Sequence, residues 1–181
     1  MTRHTRRIRR AIASLLILMS VALGAWAEVE EAELAAAYLY NFSKFVTWPG
    51  DSFAGANAPL VLCVYGRPAP EDALETLNGK PAQGHPVRVE RRSRGDALRG
   101  CHVVSVSLSE QSYLAPLLSA LAGRPILTVS ALPGFVASGG MIGFVRLNDR
   151  LRFEINTVSA ESAGLTISSQ LLKLATRVVR E

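Results

Sequence analysis

Cysteine is scarce in this sequence of 181 residues, which has only Cys63 and Cys101, and histidine occurs three times. Zinc-binding spacings such as C-x-x-C and H-x-x-x-H are absent, so the sequence shows no recognisable set of metal ligands. The G-x-S-x-G turn that presents a nucleophilic serine is absent too. We therefore predict a protein that is not an enzyme and that has no metal site and no cofactor.

The amino terminus has the three parts of a secretory signal peptide. Five arginines within the first ten residues precede an uncharged, mostly apolar run over 11–24, and Ala25-Trp26-Ala27 follows with small residues at its first and last positions. The apolar run is shorter than the roughly 20 residues that a spanning helix needs, although a retained membrane anchor is the alternative interpretation. We predict cleavage after Ala27, with 1–27 removed and 28–181 forming one exported domain outside the cytoplasm.

Positive charge is not in excess once this signal is removed. The chain has 20 basic and 15 acidic residues, and the signal contains five of the basic residues and none of the acidic ones. The balance that remains gives no reason to expect a nucleic-acid partner. A basic cluster, made of Arg88, Arg91, Arg92, Arg94 and Arg99, lacks interleaved aromatic residues and is typical of a solvated face.

Strands and helices alternate along most of the chain. Apolar and β-branched runs predict strands at Leu60–Tyr65, Val87–Glu90, His102–Val106 and Ile126–Val129. Helical spacing predicts helices at Glu30–Val46, Glu71–Leu77 and Ser109–Leu121, the last with Ser109 as N-cap. This alternation favours an α/β fold with mainly parallel core strands.

The pattern changes after residue 140. Met141–Leu147 and Leu151–Ile155 predict an antiparallel hairpin, and Thr157–Val179 predicts a long helix that is broken or bent near Gly164. The elements together predict an α/β fold with a mixed sheet that ends in that hairpin and helix.

Aromatic residues are concentrated at the first helix, where Tyr38, Tyr40, Phe42, Phe45 and Trp48 lie within eleven residues. At helical spacing some of these aromatic residues belong to the core. Any that are exposed would form an apolar surface patch of the kind that binds a partner or a small molecule. We predict a surface for a partner or a ligand that comprises Tyr40, Phe45, Trp48, Phe135 and Met141.

Whether the two cysteines are paired or free depends on the compartment in which the protein folds. In an oxidising compartment the cysteines of a small domain usually pair, so export favours a disulfide between Cys63 and Cys101. The chain-entropy model values a loop of this length at ~4 kcal/mol. Two buried free thiols are the alternative.

Several segments, in the same order and spacing, are similar to one protein family. The first is the opening helix, AAYLYNFSKFVTWP, over 36–49. The others are Leu62–Val64, Gly79-Lys80, Cys101–Val104, Ile126–Ser130, Gly139–Ile142, Phe153–Asn156 and Gly164–Ala175. Together they resemble the YfiR family of periplasmic proteins over nearly the whole exported part of the chain.

This resemblance implies a function that composition does not. It implies a periplasmic repressor that binds the periplasmic sensor domain of an inner-membrane diguanylate cyclase and so lowers cyclic di-GMP and biofilm formation. Release is expected through an outer-membrane lipoprotein or redox stress. The resemblance also implies a homodimer whose domain is a three-layer α/β/α sandwich. Cys63 and Cys101 match a cysteine pair of the family. A second pair that some members carry near 139–144 has no counterpart in this sequence.

One other function is compatible with the predicted elements. A periplasmic small-molecule binding module would use a cleft at the carboxyl ends of the parallel strands.

Overall fold

The computed structural model describes residues 31–67 and 73–180. The predicted signal peptide and its cleavage after Ala27 lie outside these residues, as do the first residues of the helix predicted at Glu71–Leu77. Within the described ranges, none of the helices has the length and apolar character needed to cross a membrane.

The described residues form ten strands and four α-helices. In chain order the strands are β1 (Val46–Thr47), β2 (Leu60–Tyr65), β3 (Pro81–Ala82), β4 (His85–Arg92), β5 (Val103–Val106), β6 (Leu127–Ser130), β7 (Ile142–Leu147), β8 (Arg150–Asn156), β9 (Thr166–Ile167) and β10 (Arg177–Val179). The helices are α1 (31–45), α2 (Leu114–Leu121), α3 (Thr157–Ser162) and α4 (Ser169–Leu174), with 3-10 helices at Leu74–Leu77 and Leu108–Tyr113.

Eight of the strands form one mixed sheet in the order β10-β8-β7-β6-β5-β2-β4-β3. Strands β4, β2, β5, β6 and β7 are parallel to one another. Strand β8 returns antiparallel to β7 through Asn148 and Asp149, whose φ angles of 50° and 55° are those of a tight hairpin turn. The carboxyl ends of β2, β5 and β6 therefore meet at one edge of the sheet.

Both faces of the central strands are buried. Leu60, Leu62 and Val64 of β2 point into one core, which they share with α1. The alternate residues of β2 point into a second core, which contains the leucines of α2. This two-sided burial explains why β2 is a continuous apolar run. The mixed α/β class is confirmed, whereas the three-layer sandwich stays a prediction.

The break predicted near Gly164 is present, but the prediction that Thr157–Val179 is otherwise helical was wrong. Helix α3 ends before Gly164, whose φ of +74° suits glycine, and the chain then adds β9, which pairs with β1. Helix α4 begins at a new cap, where the Ser168 hydroxyl accepts from the Leu171 N–H at 3.2 Å. Strand β10 then pairs with β8, because Val178 and Val179 suit a sheet edge better than a helix end.

The predicted helix at Ser109–Leu121 also starts differently. A 3-10 helix occupies Leu108–Tyr113, and α2 begins only at Leu114. Ser109 is not an N-cap, because its hydroxyl accepts a hydrogen bond from the backbone N–H of Arg67 at 3.1 Å.

Candidate functional site

The aromatic helix α1 anchors the first core. Phe42 is fully buried, and its ring centroid lies 5.0 Å from that of Phe153 and 5.8 Å from that of Phe144. Tyr38 packs against the same rings at 5.5–6.0 Å. Pairs at these separations add to the stabilisation from buried area, so this part of the aromatic cluster holds α1 on the sheet.

Three residues of the predicted surface are buried: Trp48, Phe135 and Met141 are 6 %, 1 % and 4 % exposed. The Trp48 indole N–H donates to the backbone oxygen of His102 at 3.2 Å. Phe135 covers Gly140 so closely that a Cβ there would overlap its ring. These side chains pack within the two cores of this structure, and their role in binding stays a prediction.

Tyr40 and Phe45 are only partly buried. The Tyr40 hydroxyl donates to the backbone oxygen of Pro81 at 2.7 Å. The ammonium groups of Lys44 and Lys80 lie 5.3 and 5.7 Å from the centroid of its ring. An aromatic ring flanked by two cations thus marks the outer side of α1, and its role in binding stays a prediction.

Cys63 and Cys101 form a disulfide, with Cα atoms 5.8 Å apart. Both residues are buried in the second core, and the described residues include no free cysteine. The bridge joins the middle of β2 to the segment that enters β5. The structure therefore favours the disulfide over two free thiols.

The Phe53 ring lies between two imidazoles, with centroids 3.9 Å from His85 and 4.3 Å from His102. His102 Nδ1 accepts from the backbone N–H of Val61 at 3.0 Å. Its proton is therefore on Nε2, which lies 3.0 Å from the backbone oxygen of Ser52. Burial lowers the pKa of His102. The stacked rings hold Phe53 against His85, the first residue of β4, and against His102, which directly precedes β5.

In the part of the chain that the structure describes, no three His, Cys, Asp or Glu side chains are grouped closely enough to hold a metal ion. His85 and His102, the two described histidines, are separated by the Phe53 ring and engaged with backbone groups.

A cleft of about 280 Å³ opens where the carboxyl ends of the parallel strands meet. Its back wall is the α1 stripe of Ala32, Ala35 and Leu39, with Glu31 at the end of that stripe. The sheet edge contributes residues at or just after the ends of β2, β5 and β6. Those residues are Arg67, Ser105, Val106, Ser107, Leu108, Ser130 and Ala131, while Phe144, Leu151, Ala73 and Leu74 close the sides.

A polar network holds the rim of this cleft. The buried Glu110 carboxylate accepts from Arg94 Nε at 2.7 Å and from the Ser109 hydroxyl at 3.1 Å. Ser109 in turn holds the backbone of Arg67. Gly66 permits this approach, since its φ is +92° and a Cβ there would lie 2.7 Å from Glu110 Cγ.

Sequence analysis did not identify Arg67, Leu108 or Phe53 as site residues. The available signal was their position: Arg67 and Leu108 each follow a buried parallel strand, which is where α/β proteins bind ligands. Phe53 offered no signal, because its partners His85 and His102 are distant in sequence.

Most of the chain matches a known protein family. A family model described as YfiR/HmsC-like matches residues 32–176, which is most of the chain. The matched range includes almost all of α1, both cysteines and all the cleft residues except Glu31. The chain therefore belongs to the YfiR/HmsC-like family.

Proposed function

We propose that this protein is a non-enzymatic periplasmic regulator. It binds the periplasmic sensor domain of an inner-membrane diguanylate cyclase and holds the cytoplasmic output off, which lowers cyclic di-GMP and biofilm formation. The observation that carries this proposal is the family match over residues 32–176. The buried disulfide supports it, because such a bridge persists in an oxidising compartment.

Repression of this kind requires a difference in affinity. The regulator shifts the cyclase only as far as it binds the inactive form of the sensor more tightly than the active form. Moving the sensor from about 99 % active to about 99 % inactive takes a preference of about 10⁴-fold, which requires a contact with several well-packed side chains.

The outer side of α1 is the surface that we propose for this contact. Tyr40 and the partly buried Phe45 supply aromatic area, and Leu34 is 45 % exposed on the same helix. Lys44 and Lys80 beside Tyr40 favour a partner surface that places carboxylates around an apolar centre. Aromatic residues at an interface centre are common hot spots.

The direct test uses the protein purified from the periplasm and the periplasmic domains of the diguanylate cyclases of the same cell. We expect micromolar or tighter binding to one of them. Tyr40→Ala should weaken it at least about tenfold, as for a hot spot. Tyr113→Ala is the matched control, because Tyr113 is 39 % exposed beside the other core, where it stacks with Arg94. Absence of binding to every cyclase domain at micromolar concentrations would contradict the proposal.

A measurement in cells tests the direction of the effect. Deleting the gene should raise cyclic di-GMP, and restoring the exported protein should lower it again. Restoring a form that lacks residues 1–27 should have no effect, because the proposed partner is on the other side of the membrane. Unchanged cyclic di-GMP in the deletion strain would contradict repression.

The assembly is part of the proposal. We propose a homodimer that an outer-membrane lipoprotein sequesters when the cyclase is released. Sedimentation of the purified protein reports the dimer, and competition between the lipoprotein and the cyclase domain reports the release.

A further inference from the structure

The cleft at the carboxyl ends of β2, β5 and β6 has the form of a ligand pocket rather than of a packing defect. Its walls are mainly apolar: Ala35 and Leu39 lie on one side and Phe144 and Leu151 on the other. Its volume of about 280 Å³ is just below the usual range of ligand pockets, ~300–1,000 Å³. A small molecule with a compact apolar body therefore fits, whereas a long acyl chain does not.

The charges on the rim are unequal. The Glu31 carboxylate is paired with the guanidinium of Arg146, so this acid is already neutralised. Arg67 also lines the cleft, and among the described residues its guanidinium has no ion-pair or hydrogen-bond partner. The Ser109 hydroxyl accepts from its backbone N–H, which fixes where this side chain leaves the main chain. Among the described residues that line the cleft, Arg67 is thus the charged group left unpaired, and its positive charge favours a ligand with one negative charge.

The number of hydrogen-bond donors that Arg67 offers indicates which kind of anion the cleft would bind. A phosphate monoester carries nearly two charges and three acceptor oxygens, and one exposed guanidinium would leave it poorly matched. A carboxylate carries one charge, and its two oxygens match the fork of an arginine. We propose that this cleft binds a small monocarboxylate with an apolar body, held by Arg67 at the rim.

This site is separate from the partner surface proposed above. Along α1, residues 31, 35 and 39 form the stripe that faces the cleft, whereas residues 37, 40 and 44 form the stripe on the other side of the helix. Tyr40→Ala should therefore leave ligand binding unchanged. The two proposals can fail independently.

Three probes of one shape test the charge preference on the purified full-length exported protein. Phenylacetate is the anion, 2-phenylethanol is the neutral analogue and 2-phenylethylamine is the cation. We expect phenylacetate to bind about fivefold more tightly than the alcohol, as for one partly solvated charge pair, and the amine to bind most weakly. The backbone amide resonances of Ser107 and Ala131 should shift on titration.

Substitutions test whether Arg67 causes the preference for phenylacetate over the alcohol. Arg67→Gln should bring phenylacetate to within about twofold of the alcohol, because the charge is lost and the apolar contacts remain. Arg99→Gln is the matched control: Arg99 is exposed and outside the cleft, so it changes net charge equally and should keep the preference. Ala35→Leu adds volume to the back wall and should weaken all three probes.

Several results would overturn the proposal. Equal affinity for the acid, the alcohol and the amine would do so, as would an undiminished acid preference in Arg67→Gln. Failure of phenylacetate to bind at about 10 mM, well above the weakest specific affinities, would also reject it. If Ala35→Leu does not fold, Arg67→Gln still decides, because that side chain is exposed and its loss leaves the core intact.

Discussion

The backbone N–H of Val61 donates a hydrogen bond to Nδ1 of His102 over 3.0 Å. A protonated imidazole has no lone pair at Nδ1, so protonation of His102 would leave this N–H facing another donor. Burial is the main cause that lowers the pKa of His102 from its ordinary value of 6.5, and the nearby His85 and Arg88 lower it further. The ring is therefore neutral in the folded protein over most of the physiological pH range.

This arrangement predicts acid sensitivity. The pKa of His102 is lower in the folded protein than in the unfolded chain, so the unfolded chain takes up the proton first as the pH falls. The contribution of His102 is complete above pH 6.5 and is lost as the pH falls from there through the folded pKa. Urea unfolding at a series of pH values should show the free energy of unfolding decreasing over this window.

The variant His102→Asn should flatten that dependence, because the asparagine oxygen still accepts from Val61 but does not titrate in this range. His85→Asn removes the other ring stacked on Phe53 and serves as its control; it should keep the decrease. An unchanged pH dependence in His102→Asn would show that other groups cause it.

The disulfide makes a second prediction. Cys63→Ser and Cys101→Ser should each lower the free energy of unfolding by ~4 kcal/mol, because each opens the same loop. The double variant should lose little more than either single variant. Urea unfolding of the oxidised proteins measures this, and two additive losses would show that the cysteines act independently.

The aromatic core makes a third. Phe42→Ala should destabilise the protein by about 3–5 kcal/mol, because it leaves a cavity beside Phe144 and Phe153. Leu34→Ala on the same helix should change the free energy of unfolding by about 0.5 kcal/mol or less, since Leu34 is exposed. Thermal and urea unfolding of the pair compare a buried with an exposed position on α1.

Alanine substitutions at two glycines compare the cost in stability of a strained backbone with the added cost of a crowded side chain. Gly79→Ala should cost about 1 kcal/mol, because φ is +76° but space around it is open. Gly66→Ala should cost more than that, because a Cβ there also meets Glu110 and Ser109. Similar losses of unfolding free energy in the two variants would show that the Glu110 side chain moves aside without a loss of stability.

Local pattern was sufficient for the elements whose stability is local or whose burial is continuous. Helix α1 covers 31–45 where Glu30–Val46 was predicted, and β2 has the predicted bounds, Leu60–Tyr65. The C-terminal segment was misread because its alanines and leucines suit a helix, whereas Val178 and Val179 gain more by pairing with β8. Tertiary pairing there outweighs helix propensity, which is a weak preference.

The predicted partner surface also depends partly on local sequence pattern and partly on tertiary packing. Aromatic clustering in the sequence identified α1 as an important segment, but not which rings face outward. Trp48 is buried, and its indole N–H donates to the backbone oxygen of His102, a residue 54 positions away. Tyr40 stays partly accessible at the helix surface because its hydroxyl reaches Pro81 on a neighbouring strand.

Residue order and apolar periodicity were enough to predict the α/β class, the first helix, the core strands, the cysteine pair and the resemblance to a family. Those features depend on neighbours in sequence or on chemistry that any fold preserves. The cleft, the position of Arg67 on its rim and the neutral His102 arise only from packing, since each needs groups from separate strands to meet within a few ångströms. No single segment contains that information.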